Sequence, residues 1–356
     1  MALVDFSLAF NCVKHDLLGR KLQNEFGFST SACSLITSYL SQRSQAVHHN
    51  GHFSSHRPLT DGTPQGSCLS ALLFTIYINS LPSVLRCQYH LYADDLQVYV
   101  SGPKNDLDRL ITALNDDLHA IECWAITNKL FPNPAKTKAI IFCKDGVVNP
   151  QIDVRFCGET IDLSDEVTNL GLIMDSRLKW SGQVNSVTMK VYNTLRTFRR
   201  FQKVLSMQTR HKLAQAVLIP FFLYCDAVYY PGLSAAQKEQ LHRCFKSVIR
   251  FVYGLRRFDS TRAVRHTLMG CDLTENYLRR VCCFMHTVYN GKAPEYIAQH
   301  VRRGNNQRAR SFIIPRHTTS TRRSLLIYGA STWNSQPLTI RNQTTMSTFK
   351  AALNRA

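Results

Sequence analysis

The chain has 356 residues, 44% of them hydrophobic, and a formal net charge of +19 at pH 7. This length and apolar content suffice for a sizeable core divided among two or three domains, so the chain should fold. The positive excess points to a polyanion or an anionic surface as partner. It is also lopsided: residues 1–180 carry 15 Lys/Arg against 18 Asp/Glu, whereas residues 181–356 carry 28 against 6. The two halves therefore have different tasks. The 12 cysteines include no CxxC pair and no Cys/His spacing suited to zinc, so reduced, mostly buried thiols of an intracellular protein are expected.

In chain order, ALVDFSLAF reads as a short strand ending in a turn, with Asp5 at the strand end and no basic leader before it. DLLGRKLQNEF follows with Leu17, Leu18 and Leu22 at helical spacing. LTDGTPQGSCLS is a Gly/Pro/Ser turn cluster feeding a helix in which Leu72, Leu73, Ile76 and Leu81 share roughly one face. QYHLY and LQVYV then pair as a tight hairpin with Ala-Asp-Asp at its tip. Leu110, Ile111, Leu114, Leu118, Ile121 and Trp124 form a helical stripe, and TKAIIFC after Pro134 is a strand. Strand, helix, hairpin, helix, strand predicts an α+β layer.

From about residue 180 the pattern turns helical, with Val187, Val191, Leu195 and Phe198 in one stripe and Lys190, Arg196, Arg199, Arg200 and Lys203 largely on other faces. The apolar stretch AVLIPFFLYC near residue 220 is too short to span a bilayer, so no membrane segment is expected. Residues 302–323 hold seven arginines and no acid, the composition of a basic loop or extended arm.

Adjacent Asp94 and Asp95 repel each other within a run of strand formers, which requires a solvated turn or a bound cation to offset the repulsion. With Asp5 they form a possible set of three carboxylates at strand ends or a hairpin tip. Their hard oxygens suit Mg²⁺, and two such ions can clamp the attacking and leaving oxygens of a phosphoryl displacement.

In this setting the sequence resembles the reverse transcriptases of non-LTR, LINE-type retrotransposons, with a jockey-like character, over nearly its whole length. LVDFSLAFNCVKHDLL is similar to the first palm motif, DGTPQGSCLSALLFTIYINSLP to the second and LYADDLQVY to the third. WAITNKLFPNPAKTKAIIF resembles the fourth and VTNLGLIMDSRLKW the fifth, while FVYGLRRFD, YGASTWNSQP and FKAAL resemble the region after the polymerase.

The resemblance implies a polymerase palm over 1–179, a helical thumb-like domain over 180–255 and a basic C-terminal region over 256–356. It implies Asp5 and Asp94 as principal ligands of two Mg²⁺ ions (Mn²⁺ as substitute), with Asp95 as third carboxylate. It assigns Lys136 to the departing pyrophosphate, and Phe10, Pro64, Gln65, Gly66, Tyr92 and Ala93 to the incoming deoxynucleoside triphosphate. Leu170 and Gly171 hold the primer end, and Lys190, Arg196, Arg199, Arg200 and Lys203 meet an RNA template and DNA primer. Asn11 stands where the family usually has Asp, and Ala71 where it usually has Pro. Family members carry a fingers subdomain and often an endonuclease before the palm. On this reading Asp5, so near Met1, implies an N-terminally truncated polymerase whose palm strand has lost a neighbour. Two functions follow: RNA-directed DNA polymerisation, or a catalytically inactive remnant that only binds nucleic acid, in a nuclear or cytoplasmic ribonucleoprotein setting and with no oligomeric state implied.

Overall fold

The computed structural model describes residues 1–143, 152–318 and 324–355. The chain divides into two compact units, Met1–Gly171 and Leu172–Ala356.

The first unit is built from β1 (Ala2–Val4), α1 (His15–Asn24), α2 (Thr30–Leu40), the short strands β2 (Arg43–Gln45), β3 (His48–His49), β4 (His52–Phe53) and β5 (Arg57–Leu59), and α3 (Ser70–Ile78). It continues through β6 (Gln88–Tyr92), β7 (Asp95–Tyr99), α4 (Leu107–Thr127), β8 (Lys138–Ala139), β9 (Val154–Phe156), β10 (Glu159–Ile161) and β11 (Glu166–Asn169). Its main sheet has the order β6-β7-β1-β8. Every pairing in it is antiparallel. The expected α+β layer and the 88–99 hairpin are present. β1, however, lies inside the sheet between β7 and β8, which corrects the expectation of a strand that has lost its neighbour. The neighbour is supplied from residues 138–139, far along the chain.

Strand alternation gives this sheet two unlike faces. Ala2, Val4, Leu96, Val98 and Ala139 are buried in one apolar cluster with Phe74 and Tyr77 of α3 and Leu114, Leu118 and Ile121 of α4. Leu3, paired with Gln97 and Lys138, belongs to the opposite face. The α4 stripe forms as expected, but Leu72 is 55% exposed and Leu81 lies beyond the end of α3 in a 3₁₀ turn. α3 buries residues all round rather than along one stripe, so periodicity did not identify its single exposed leucine correctly.

The second unit starts with β12 (Leu172–Asp175) and is otherwise mainly helical: α5 (Ser181–Arg199), α6 (Met207–Leu213), α7 (Ile219–Leu223), α8 (Asp226–Tyr229), α9 (Ala235–Tyr253) and α10 (Leu273–Tyr289). α11 (Glu295–Ala298), the hairpin β13 (Arg302–Arg303) and β14 (Phe312–Ile313), α12 (Leu325–Asn334), α13 (Leu338–Arg341) and α14 (Met346–Arg355) complete it. Part of the expected basic arm thus forms a small hairpin, and its residues 319–323 lie outside the described residues. Val187, Val191 and Leu195 of α5, Val248 of α9, Tyr277 of α10 and Trp333 of α12 share one apolar cluster. The segments read as 180–255 and 256–356 are therefore packed around a common core.

The helical run Met207–Gly232 is long and apolar enough, by length and composition, to cross a membrane, which corrects the reading of the apolar stretch as too short. The run is interrupted where Tyr224 turns extended and Cys225 adopts φ 52°. Leu218, Ile219, Phe222 and Tyr229 from it are buried in the unit's own core. Of the cysteines only Cys244, Cys271 and Cys282 are buried and Cys68 and Cys123 are exposed, so the thiols are mostly half-buried rather than buried. All 12 are free.

Candidate active site

The site is built on the sheet face opposite the helices. The register pairs Val4 with Leu96, so the next residue, Asp5, continues β1 alongside Asp95 at the start of β7. On the other flank Asp95 pairs with Tyr92, leaving Ala93 and Asp94 as the hairpin turn. Ala93 takes φ 51°, a left-handed conformation costing about 1–2 kcal/mol for a residue with a Cβ, and this turn sets Asp94 beside Asp95. Tyr92 is 69% exposed at the strand end. The register thus sets the backbone of Asp5 beside Asp95 and the Asp94 turn at one end of the sheet.

Electrostatics register the gathering. The carboxyl of Asp95 is held above the usual aspartate range, first by partial burial and then by the negative charges of Asp94 and Asp5. One carboxylate oxygen of Asp5, Oδ2, is buried without any hydrogen-bond donor. A buried carboxylate oxygen without a donor, with the negative charge of Asp95 nearby, is costly, and a divalent cation would relieve both penalties. The donor set therefore fits Mg²⁺ in kind. Among the described residues, however, no group of three or more His, Cys, Asp or Glu side chains is arranged so that it could hold a metal ion.

The backbone of Asp5 also anchors the loop of the fourth motif. Its carbonyl accepts from Asn133 N at 2.9 Å, and its amide donates to Thr137 Oγ1 at 3.3 Å. Asn133 in turn accepts Lys136 N on its side-chain oxygen at 3.2 Å and donates through Nδ2 to Ser7 Oγ at 3.1 Å. Lys136 is thereby tethered within one turn of residues bonded to Asp5. Among the described residues no carboxylate lies within 4.0 Å of its ammonium.

A second set of bonds fastens the nucleotide-loop candidates to the segment after Asp5. Lys14 Nζ pairs with Asp61 Oδ2 at 2.6 Å, His15 Nε2 meets the Gly62 carbonyl at 2.7 Å, and Gly62 N donates to the Val13 carbonyl at 2.7 Å. Thr63 N donates to the Phe10 carbonyl at 3.0 Å, and Gln65 Nε2 donates to Asn11 Oδ1 at 2.9 Å. Asn11, the departure from the usual Asp, thus supplies the oxygen that orients Gln65. Its position is tight: a Cβ on Gly62, where φ is +85°, would lie 2.9 Å from both Cα and the carbonyl oxygen of Asn11. Gly66, at φ +81°, faces open space. Ser70 Oγ donates to the Pro64 carbonyl, fixing the loop to the start of α3. Phe10 stacks on Phe74 with centroids 4.3 Å apart and an interplanar angle of 23°, so one ring face is committed to the core.

Leu170 and Gly171, both at positive φ, follow β11, whose Asn169 accepts from Gln97 Nε2 at 2.7 Å. Gln97 is two residues from Asp95 on the same strand face, so this bond ties β11 to the carboxylate-bearing strand. Sequence reading did not find Gln97, Asn169, Asn133 or Thr137, because their roles rest on bonds between residues far apart in the chain. In the second unit, Lys190, Arg196, Arg199, Arg200 and Lys203 are all exposed on or just after α5. None is within 4.0 Å of a carboxylate among the described residues.

An antiparallel sheet backed by two helices, with carboxylates at a hairpin turn and at the adjacent strand end, defines a polymerase palm. Residues 1–174 match the family described as reverse transcriptase (RNA-dependent DNA polymerase), and this part of the chain belongs to it. The chain matches relatives that are RNA-directed DNA polymerases of mobile elements, jockey among them. It is 26% identical over 234 residues to the "Probable RNA-directed DNA polymerase from transposon BS" of Drosophila melanogaster, covering 62% of this chain and 25% of that protein. It is 22% identical over 279 residues to the "RNA-directed DNA polymerase from mobile element jockey" of the same fly, covering 75% of this chain and 30% of the relative. The corresponding Drosophila funebris jockey protein is 23% identical over 76% of this chain and 29% of its own length. The chain thus spans less than a third of the length of these relatives.

Proposed function

We propose that this chain carries the catalytic palm of an RNA-directed DNA polymerase of a mobile element. The observation that carries the reading is the register that sets Asp5 alongside Asp95 with Asp94 in the adjoining turn, on the face the helices leave open. The reaction is attack of a primer 3′-hydroxyl on the α-phosphate of a deoxynucleoside triphosphate. A bond forms between the 3′-oxygen and the α-phosphorus, the bond from that phosphorus to the bridging oxygen breaks, the hydroxyl proton is lost and pyrophosphate departs. Asp5, Asp94 and Asp95 would hold magnesium, or manganese in its place, which when bound lowers the pKa of the hydroxyl and neutralises charge on the phosphate.

The remaining roles fall to the chain's own side chains. Lys136, tethered through Asn133 to Asp5, donates positive charge or a proton to the pyrophosphate. Gln65, oriented by Asn11, and the open backbone at Gly66 contact the incoming nucleotide. Phe10, braced on Phe74, lies under the sugar and excludes a 2′-hydroxyl. The turn at Leu170 and Gly171 holds the primer end, and the exposed cations of α5 meet template and primer phosphates.

A second reading, nucleic-acid binding without catalysis, is favoured by the charge of residues 181–356, with 28 Lys/Arg against 6 Asp/Glu. Primer extension on an RNA template with Mg²⁺, run with the chain and its Asp94→Asn variant alongside an RNA-binding measurement, separates the two. Extension lost in the variant with binding unchanged supports polymerisation. Equal extension signal from both proteins refutes it, and binding without extension in either leaves the second reading.

A further inference from the structure

Helices α5 and α9 pack against each other, and near their C-terminal ends they border a cavity of about 390 Å³ lined by Tyr192, Arg199, Gln202, Ser247, Arg250 and Arg257. Tyr192 and Arg199 are two helical turns apart on α5, and Ser247 and Arg250 are one turn apart on α9, so each pair shares a helix face. Arg257 joins them from the loop after α9.

The three guanidinium groups are poorly neutralised. No carboxylate lies within 4.0 Å of any of them among the described residues. Asp259, the acid on the same loop, accepts the Arg256 backbone N–H at 2.7 Å with its carboxylate and offers Arg250 Nη2 only its carbonyl, at 3.3 Å. Arg250 Nε is buried without any partner. Arg199 and Arg250 lie in the last turns of their helices, where a cation also stabilises the helix end. That role does not explain Arg257, which lies past α9, nor three guanidinium groups lining one cavity. An anion there would meet two helix C-termini of roughly −0.5 charge each against three full positive charges, so attraction prevails. The Phe251 carbonyl at the end of α9 is further satisfied by Gln202 Nε2 at 3.2 Å and Arg210 Nη1 at 2.9 Å.

We propose that this cavity is a binding site for a nucleotide unit, with the phosphate on Arg199, Arg250 and Arg257 and the base against the Tyr192 ring. Its volume lies in the range of small-molecule sites and exceeds the need of a phosphate alone. Tyr192 is 45% exposed and offers a ring face for stacking, the sequence-tolerant way to hold an unpaired base. Guanidinium groups match phosphate oxygens bidentately. The proposal rests on the nucleic-acid reading of the second unit and is independent of the carboxylates of the first. The ligand is either one nucleotide of a single strand or a free mononucleotide.

The test is arginine modification of the wild-type chain by phenylglyoxal, without divalent metal, read residue by residue by mass spectrometry. It is run alone, with a uridine oligonucleotide and with uridine monophosphate. Arg302, exposed on β13 of the same unit, reports general electrostatic shielding. Protection of Arg199 and Arg257 at least about fivefold beyond that of Arg302 is expected; protection by the oligonucleotide alone assigns a strand, and protection by both assigns a site open to free nucleotide. Protection by neither ligand, or no more than at Arg302, overturns the proposal. In parallel, R199A/R257A is expected to weaken oligonucleotide binding about tenfold. It should also flatten the log–log salt dependence by about 0.7, the loss of one phosphate contact on a single strand, while R302A leaves the slope within about 0.3 of wild type. An unchanged slope in R199A/R257A also overturns the site. Because neither assay contains Mg²⁺ or deoxynucleotides, failure here leaves the polymerase reading intact, and failure of primer extension leaves this site intact.

Discussion

Gln65 Nε2 donates to Asn11 Oδ1 at 2.9 Å, joining the loop before α3 to the turn after β1 across 54 positions of sequence. A carboxylate at position 11 would accept the same bond with added charge. Asn11→Asp should therefore keep both stability and nucleotide KM near wild type. Asn11→Ala should raise KM for the deoxynucleoside triphosphate several-fold and lower stability by about 0.5–1 kcal/mol, since the pair is exposed. Thermal unfolding and nucleotide titrations of both variants check this; an Asn11→Ala protein indistinguishable from wild type in both contradicts it.

Gly62 and Gly66 both require positive φ but differ in their surroundings. Gly66→Ala meets open space, so its cost is the left-handed backbone alone, about 1–2 kcal/mol. Gly62→Ala adds a Cβ 2.9 Å from the Asn11 backbone, which cannot move without disturbing the Val13 and Phe10 bonds. Its unfolding midpoint should fall clearly further than that of Gly66→Ala, by more than the ~2–4 °C that each kcal/mol costs a domain of this size. The reverse order in paired melting curves would refute the packing described here.

The raised Asp95 carboxyl owes part of its shift to Asp94 and Asp5. Asp94→Asn should move its titration back toward the ordinary aspartate range, and Mg²⁺ should do the same in the wild type by supplying opposite charge. With its folded affinity for protons above the unfolded one, Asp95 contributes less stability as pH rises through its titration, and Asp94→Asn should flatten that dependence. Carbon-detected NMR titration of the Asp95 carboxyl checks the order of the three values.

In the second unit, Asp226 accepts from Arg280 Nε at 3.0 Å, yet burial outweighs this partner and pushes its carboxyl up to about 6 from 3.8. The folded unit binds the proton more tightly than the unfolded chain, so its stability should fall as pH rises from about 4 to about 6, by on the order of 3 kcal/mol in total. Asp226→Asn should remove this slope. Urea unfolding between pH 4 and pH 7 measures it, and a rise in stability across that window specific to the wild type would contradict the assignment. Arg280→Ala, which leaves the buried carboxylate with backbone N–H donors but no cation, should cost about 3–5 kcal/mol near neutral pH.

Much of this was legible in the sequence where the signal is local. The 88–99 hairpin was readable from two β-rich runs around Ala-Asp-Asp, and the α4 and α5 stripes from their 3.6-residue period. What was not legible depends on distant partners. The interior place of β1 needs β8, and the Asp5 backbone is held by Asn133 and Thr137, which no window around Asp5 contains. The break at Tyr224 and Cys225 carries neither Gly nor Pro at the turning residues, so composition gave no warning of it. The arginine cavity arises from the ends of two helices meeting, a matter of length and crossing rather than pattern.

The central claim is that Asp5, Asp94 and Asp95 act together on divalent cations, and Mn²⁺ binding followed by electron paramagnetic resonance tests it most directly. The account predicts that the wild-type chain binds Mn²⁺ and that Asp5→Asn, Asp94→Asn and Asp95→Asn each weaken binding by about tenfold or more, equivalent to ~1.4 kcal/mol, with folding retained by circular dichroism. Mn²⁺ affinity unchanged in the three variants, or absent from the folded wild type, would contradict it.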